Sequence, residues 1–251
     1  MKVIEDIKYG EYERNLLDIY VADKDSSPIF IYLHGGGIES GTQKDDYVAG
    51  ISKTLAKMGI TTVAVTYRLY PDAVFPQFIE DGAAAVNWVI NNINKYIKAE
   101  GIFIGGISAG AYITQMLCFN KEYLAKHNIS NEDISGYFFD AGQPTTHFNV
   151  LRERGFDTNQ VIVDAAAPMF YINGKEKYPP MEFVVADNDM LNRYEQTMLL
   201  IAIFKNYGYD MNKIKLLVQE NCEHCSYDFK MDENGDYIFA NEIYDFIKSN
   251  C

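Results

Sequence analysis

Several features that define other protein classes are scarce in this chain of 251 residues. It has only four cysteines, and they are too scattered for a disulfide scaffold. No apolar run approaches the roughly 20 residues that cross a bilayer. The first residues contain neither an apolar signal core nor a cleavage site. We therefore expect a soluble cytoplasmic protein with no membrane segment.

Positive charge is also in short supply. Lys and Arg together number 22 against 35 Asp and Glu, which leaves a net charge of −13. Such an acidic surface repels phosphate backbones and anionic lipid heads, which argues against nucleic acid and membrane partners. One interpretation of the negative net charge is that it keeps the protein soluble. The alternative is that it favours neutral or cationic substrates.

The chain has no internal repeat, and what recurs is a short apolar strand followed by an amphipathic helix. Residues 29–33 and 60–66 are two such strands, and residues 78–97 carry apolar side chains at helical spacing. This alternation predicts an α/β fold whose mostly parallel sheet is covered by helices on both faces. The first ~25 residues alternate in polarity and turn at Gly10, so they predict an antiparallel hairpin at the sheet edge.

Residues 143–180 follow this rhythm less well and contain four prolines. Such an insertion is either a small cap over a pocket or an ordinary crossover with a long loop, and the sequence leaves both open. Apart from this segment, we expect one domain over residues 1–251.

A G-x-S-x-G pattern lies within residues 105–110 (GGISAG), directly between an apolar strand and an apolar helix. A sharp turn there holds Ser108 clear of the backbone at a helix N-terminus, where the dipole favours developing negative charge. Gly106 and Gly110 have no Cβ, so the turn can close. A plain helix cap or a phosphate cradle is the alternative, but no Lys follows as in a P-loop. We predict that Ser108 is a nucleophile.

Three consecutive glycines follow His34 and the first buried strand. Backbone N–H groups in such a bare loop can bind an oxyanion. We assign Gly36 and Gly37 as the donors of this loop, together with the N–H of Ala109 behind the nucleophile. A flexible loop or a phosphate loop would explain the glycines alone, but their pairing with the serine motif favours catalysis.

The chain has four histidines from which a general base can be drawn. His224 is the only one in the last third, and it follows the strand predicted at residues 214–218. A base at that sheet edge can reach Ser108. His34 should orient the glycine loop, His127 lies in a polar stretch, and His147 precedes Asp187 and Asp189 in the chain. We therefore predict that His224 is the base.

The acid that orients the base should follow the nucleophile in the chain and lie at the same sheet edge. Asp187 and Asp189 both follow the strand predicted at residues 181–186. Asp140, at the end of another strand, is a third option.

Four motifs together resemble one known family: residues 17–21 (LDIYV), 34–37 (HGGG), 67–69 (YRL) and 106–110 (GISAG). They are similar to the α/β-hydrolase fold, and within it to the carboxylesterases related to hormone-sensitive lipase and to bacterial acetyl esterases. The resemblance covers nearly the whole chain. One departure is Ile38, where the family usually has an aromatic residue, and this bears on the shape of the acyl pocket.

The resemblance implies a role for Asp189, because it begins the D-x-L signature that carries the acid in those esterases. Asp187 is then left to brace or cap the turn. The implied activity is that of a serine esterase acting on small, short-chain esters, among them acetyl esters of sugars. Two alternatives remain: a C–N hydrolase similar to kynurenine formamidases, and a non-catalytic binding protein on the same fold.

Metal binding has little support in the sequence. Cys222, His224 and Cys225 lie close together but lack a second ligand pair, so no closed zinc site is expected. Residues 232–236 faintly resemble a calcium loop without its carboxylates and are predicted to be a hairpin turn. We expect no metal and no organic cofactor, and the oligomeric state is not set by the sequence.

Overall fold

Eight strands lie side by side in one sheet. Numbered by their order in the chain, they follow one another across the sheet as first, second, fourth, third, fifth, sixth, seventh and eighth. A computed structural model describes the whole chain, from Met1 to Cys251. The strands are β1 Lys2–Lys8, β2 Leu16–Val21, β3 Ser26–Leu33, β4 Thr61–Val65, β5 Lys98–Ile107, β6 Gly136–Asp140, β7 Met181–Asn188 and β8 Ile214–Glu223. The helices are α1 Asp46–Met58, α2 Gln77–Asn92, α3 Ala109–Phe119, α4 Glu122–Ala125, α5 Phe148–Glu153, α6 Arg193–Asn206 and α7 Ala240–Ser249.

The sheet is parallel from β4 through β3 to β8, whereas β1 and β2 pair antiparallel at one edge. Helices α1 and α7 pack on one face, and α2, α3 and α6 cover the other. The predicted α/β-hydrolase fold with its antiparallel N-terminal hairpin is therefore confirmed. No helix has the length and apolar character needed to span a membrane.

Two strands are longer than the apolar runs predict. Strand β5 starts at Lys98 because its first residues pair with the start of β3, at Ser26 and Ser27. Strand β8 continues to Glu223, which pairs with Asn188 of β7. Both extensions are polar, since they lie near a strand start or on an edge strand where side chains face water. The extension of β8 brings the next residue, His224, to the carboxyl edge of the sheet.

The segment at residues 143–180 contains α5 and a 3₁₀ turn at Pro168–Tyr171, with irregular chain around them. It is tied to the body of the fold by side-chain hydrogen bonds. Tyr112 of α3 donates to the carbonyl of Ala166 at 2.7 Å, and Thr145 donates to Gln196 of α6 at 2.8 Å. The start of the segment lies close to the carboxyl edge of the sheet.

Candidate active site

Ser108 stands in the sharp turn between β5 and α3. Its backbone has φ 52° and ψ −109°, a conformation that non-glycine residues rarely adopt. Its N–H donates to the carbonyl of Asp140 at 2.7 Å, which ties the turn to the end of β6. A Cβ at Gly106 would collide with the backbone of Gly110, and one at Gly110 would collide with the carbonyl oxygen of Leu33. Both glycines of the motif are therefore required by close packing of backbone on backbone.

His224 bridges the serine and a carboxylate. Ser108 Oγ lies 2.9 Å from Nε2, and Asp189 Oδ1 lies 2.6 Å from Nδ1. A carboxylate only accepts hydrogen bonds, so Nδ1 carries the hydrogen and Nε2 is left to accept from the serine hydroxyl. The Asp189 side chain is fully buried, whereas that of His224 is 22 % exposed. The structure thus brings together the three residues that the sequence analysis selected.

The two other candidate acids have different partners. The Asp187 carboxylate accepts from the N–H groups of Asn221 and Cys222, at 2.9 and 3.2 Å. These bonds lower its pKa and brace the end of β8. Asp140 accepts from the hydroxyl of Tyr227 at 2.5 Å and makes no hydrogen bond to His224.

The glycine loop presents its N–H groups beside the serine. Gly36 and Gly37 have φ values of 100° and 65°, which suit glycine and few other residues. Their N–H groups donate to no atom of the protein, whereas the N–H of Gly35 donates to the hydroxyl of Tyr47 at 2.9 Å. Ala109 is the first residue of α3, where helix N–H groups lack an intrahelical acceptor. The arrangement leaves Gly36, Gly37 and Ala109 as candidate donors to an oxyanion.

His34 holds this loop from inside the protein. Its Nδ1 lies 2.6 Å from the carbonyl oxygen of Gly35. Burial lowers the pKa of His34 to about 4, so the imidazole is neutral and Nδ1–H donates. The expectation that His34 orients the glycine loop therefore has a specific contact behind it.

A pocket of about 650 Å³ opens over the serine. Its walls are mainly aromatic and apolar, and its lining includes Ile107, Tyr47, Phe148, Met190 and Phe229. Among the lining residues Asp45 is the only carboxylate, and none is Lys or Arg. A cleft of about 680 Å³ lies elsewhere, near the starts of β6 and β7, and its lining includes no histidine.

A buried acidic group lies behind the site, and the sequence did not predict that its members, two of them already named above, meet there. Asp140, Cys225 and Asp228 place one ligand atom each within 4.8 Å of one another, so these residues, and not Cys222 with His224, are the ones that could hold a metal. Burial raises the pKa of both carboxyls, that of Asp140 to about 7. A proton shared between the two carboxyls gives a partner to two of their three oxygens that otherwise have none, Oδ2 of Asp140 and one oxygen of Asp228.

Two further residues were also missed because no local pattern marks them. Tyr47, on α1, holds Gly35 as described above. Asn149, on α5, donates from Nδ2 to the carbonyl of Gly37. Both contacts join residues from separate elements, so only the folded chain reveals them.

Comparison with known proteins finds one matching family model and relatives named as esterases. The BD-FAE family model matches residues 17–150. A probable isoprenylcysteine alpha-carbonyl methylesterase of Oryza sativa subsp. japonica is 31 % identical over 115 residues, which cover 45 % of this chain and 27 % of that protein. Probable carboxylesterase 13 of Arabidopsis thaliana is 26 % identical over 155 residues, covering 53 % and 47 %. The chain therefore spans less than half the length of each of these relatives.

Solved structures share the fold at low sequence identity. A truncated form of a carbohydrate esterase from gut microbiota superimposes with a TM-score of 0.77 at 18 % identity, over 100 % of this chain and 96 % of that one. Esterase 2 of Thermogutta terrifontis gives 0.75 at 20 % identity, over 98 % and 93 %. These structures share the predicted fold, and together with the family model and the relatives above they confirm the predicted resemblance to α/β-hydrolase carboxylesterases.

Proposed function

The chain belongs to the BD-FAE family, and on that premise we propose that it is a serine hydrolase that cleaves carboxylic esters. The observation that carries the proposal is the position of His224, 2.9 Å from Ser108 Oγ and 2.6 Å from Asp189 Oδ1. Two relatives named as a carboxylesterase and a methylesterase favour an ester as the substrate.

The proposed reaction proceeds through an acyl-enzyme. Nε2 of His224 takes the hydroxyl proton of Ser108 while Oγ attacks the ester carbonyl carbon. The N–H groups of Gly36, Gly37 and Ala109 bind the resulting oxyanion. His224 then gives its proton to the departing alcohol oxygen as the C–O bond breaks. Water, deprotonated by the same imidazole, attacks the acyl carbonyl. The bond between that carbon and Ser108 Oγ then breaks, the imidazolium returns its proton to Oγ, and the acid is released.

Asp189 supports both steps through the imidazole. Its buried carboxylate keeps Nδ1 protonated, so Nε2 faces the serine as an acceptor, and it stabilises the imidazolium that forms. No step in this scheme requires a metal or an organic cofactor.

For the substrate we propose small, short-chain esters, among them acetyl esters of sugars. The pocket of about 650 Å³ has apolar walls near the serine, which suit a short acyl chain. At its mouth Phe229 is 57 % exposed, so a larger alcohol can extend outward. The similarity to a structure described as a carbohydrate esterase supports a sugar as that alcohol.

The proposal is tested with p-nitrophenyl esters from acetate to octanoate and with an acetylated monosaccharide. We expect turnover to be highest on the short esters. Ser108→Ala should lower kcat by about 10⁶-fold, as in other catalytic triads. Ser249→Ala, on α7, is the matched control and should leave turnover unchanged. Wild-type turnover in Ser108→Ala would contradict the proposal, as would a failure of fluorophosphonate to label Ser108.

A further arm compares esters with a C–N substrate. N-formylkynurenine is assayed beside p-nitrophenyl acetate under the same conditions. We expect a higher kcat/KM on the ester. A higher value on N-formylkynurenine would show instead that the same triad serves an amidase.

A further inference from the structure

The oxyanion loop, residues 34–41, contains four glycines and therefore needs outside contacts to hold one conformation. Its donors work only if their N–H groups already point at the developing charge. Because a trans peptide is planar, each N–H points opposite to the carbonyl of the preceding residue. The contacts made by the loop carbonyls consequently set the direction of the N–H groups.

The first two carbonyls of the glycine run accept hydrogen bonds from residues that are close in the sequence. The Gly35 carbonyl accepts from Nδ1 of His34 at 2.6 Å, which aims the N–H of Gly36. The Gly36 carbonyl accepts from the N–H groups of Glu39 and Ser40, both at 3.0 Å, which aims the N–H of Gly37.

The third carbonyl, that of Gly37, is held by Asn149 of α5 through its Nδ2. This contact fixes the Gly37–Ile38 peptide, and with it the ψ angle of Gly37, while the direction of the Gly37 N–H itself is set by the Gly36 carbonyl. The next residue, Ile38, has φ 66°, a left-handed conformation that is strained for a β-branched side chain. Rotation of the Gly37–Ile38 peptide would relieve that strain. It would also change the ψ angle of Gly37, so that this residue could leave its present conformation. The hydrogen bond from Asn149 opposes this rotation, while the N–H of Tyr70 holds the Ile38 carbonyl at 2.8 Å.

Asn149 is itself fixed. The residue is 1 % exposed, and its backbone N–H donates to Nδ1 of His147 at 3.2 Å. The neighbouring Phe148 would lie 3.3 Å from a Cβ on Gly37, so its ring closes that side of the loop. Arg152 of the same helix forms an ion pair with Glu39. Helix α5 therefore contacts the oxyanion loop at several points.

The amide of Asn149 lowers the stability of the folded protein at this buried position. Its Oδ1 is buried without any hydrogen-bond partner. An unpaired buried acceptor costs stability, so an apolar side chain of the same size would suit packing alone better. The amide is explained by what its Nδ2 does for Gly37.

We propose that Asn149 is a positioning residue that holds Gly37 in the conformation that binds the oxyanion. The start of the segment at residues 143–180 then both lines the active site and positions the oxyanion loop, in addition to connecting β6 and β7. The inference rests on the proposed esterase function, because it concerns the same oxyanion.

The test compares Asn149→Leu and Asn149→Asp with wild type. Leu keeps the volume without the donor, and Asp keeps the shape but turns an acceptor toward the carbonyl. We expect kcat to fall by about 10- to 100-fold. This loss does not exceed that caused by removing an oxyanion donor outright, because the N–H of Gly37 is displaced and not deleted. KM should change by less than about twofold, since the ground-state ester makes little use of the oxyanion hole.

An inhibitor separates positioning from folding. A trifluoromethyl ketone adds to Ser108 and places an oxyanion in the hole. Its Ki should rise by the same factor by which kcat/KM falls. The matched control is Thr146→Val, which removes a partly buried hydrogen bond to Asp164 at 2.8 Å within the same segment. That variant should lower Tm while leaving kcat and Ki unchanged.

Three results would overturn the inference: kcat within twofold of wild type in both Asn149 variants, KM and Ki that rise together, or an equal loss of kcat in Thr146→Val. If Asn149→Leu fails to fold, Asn149→Asp decides by the same criteria. Failure of the proposed function is a separate result, seen as a wild type that hydrolyses no ester. In that event the rate of fluorophosphonate labelling of Ser108, which also develops charge in the hole, still tests Asn149.

Discussion

The imidazole of His34 lies flat on the ring of Tyr67, with centroids 4.3 Å apart and planes inclined by 8°. The hydroxyl of Tyr67 also donates to the carbonyl of His34 at 2.7 Å. Burial keeps the imidazole neutral, and the Gly35 carbonyl, which can only accept, selects the tautomer that carries its hydrogen on Nδ1. The glycine loop thus depends on a histidine that takes no part in proton transfer.

The buried state of His34 predicts how stability depends on pH. In the folded protein the pKa of His34 is about 4, whereas an unfolded chain takes up this proton near pH 6.5. The unfolded state therefore binds more protons between these values, and the stability contributed by His34 is lost as pH falls through that window. We expect the free energy of unfolding of wild type, relative to His34→Gln, to drop by about 3 kcal/mol from pH 6.5 to 4. Urea titrations at several pH values measure this difference, and a constant difference would contradict the prediction.

The Asp140–Asp228 pair predicts the opposite slope. Burial raises the pKa of both carboxyls, that of Asp140 to about 7. The folded state keeps a proton that the unfolded state releases near pH 4, so the associated stability is present at low pH and is lost as pH rises toward 7. Relative to Asp140→Asn, wild type should lose about 1.4 kcal/mol per pH unit within this window. Asp23→Asn, at an exposed position, is the control and should show no such slope.

The chemistry of the site explains why so much of it was predictable from sequence. A strained serine turn needs Gly106 and Gly110, and an oxyanion loop needs bare backbone, so both leave short patterns in the chain. The choice of His224 followed from its place after the last strand. Parallel strands that are buried on both faces also leave apolar runs, as in β3 and β4.

The remaining parts of the site arise from contacts between distant residues. Asn149 and Gly37 are 112 positions apart, and Tyr227 and Asp140 are 87 apart. Neither contact has a local pattern, and a buried polar residue looks like an exposed one in the sequence. The polar end of β8 was likewise invisible, because edge strands do not need apolar side chains.

Asp187 and Asp189 form a matched pair for testing the acid of the triad. Asp189→Asn should lower kcat by about 10⁴-fold, since the amide favours the wrong tautomer of His224. Asp187→Asn keeps an acceptor near Asn221 and Cys222 but removes its charge, so Tm should fall while kcat stays within tenfold of wild type. Steady-state kinetics and thermal unfolding of both variants check the prediction. A larger kcat loss in Asp187→Asn would reverse the two assignments.

The charge of the pocket predicts a preference among esters of equal length. Asp45 is the only carboxylate in the lining, which contains no Lys or Arg, and the net charge of the chain is −13. An acyl chain ending in a carboxylate should therefore be repelled. We expect kcat/KM on p-nitrophenyl hemisuccinate to be about tenfold lower than on the butyrate, equal to about 1.4 kcal/mol. The rate with Ser108→Ala is subtracted, because the succinyl carboxylate promotes its own hydrolysis. Added salt should narrow the gap, and so should Asp45→Asn, because screening and charge removal weaken the same repulsion. Equal kcat/KM values at low salt would mean that the acyl group never comes near this charge.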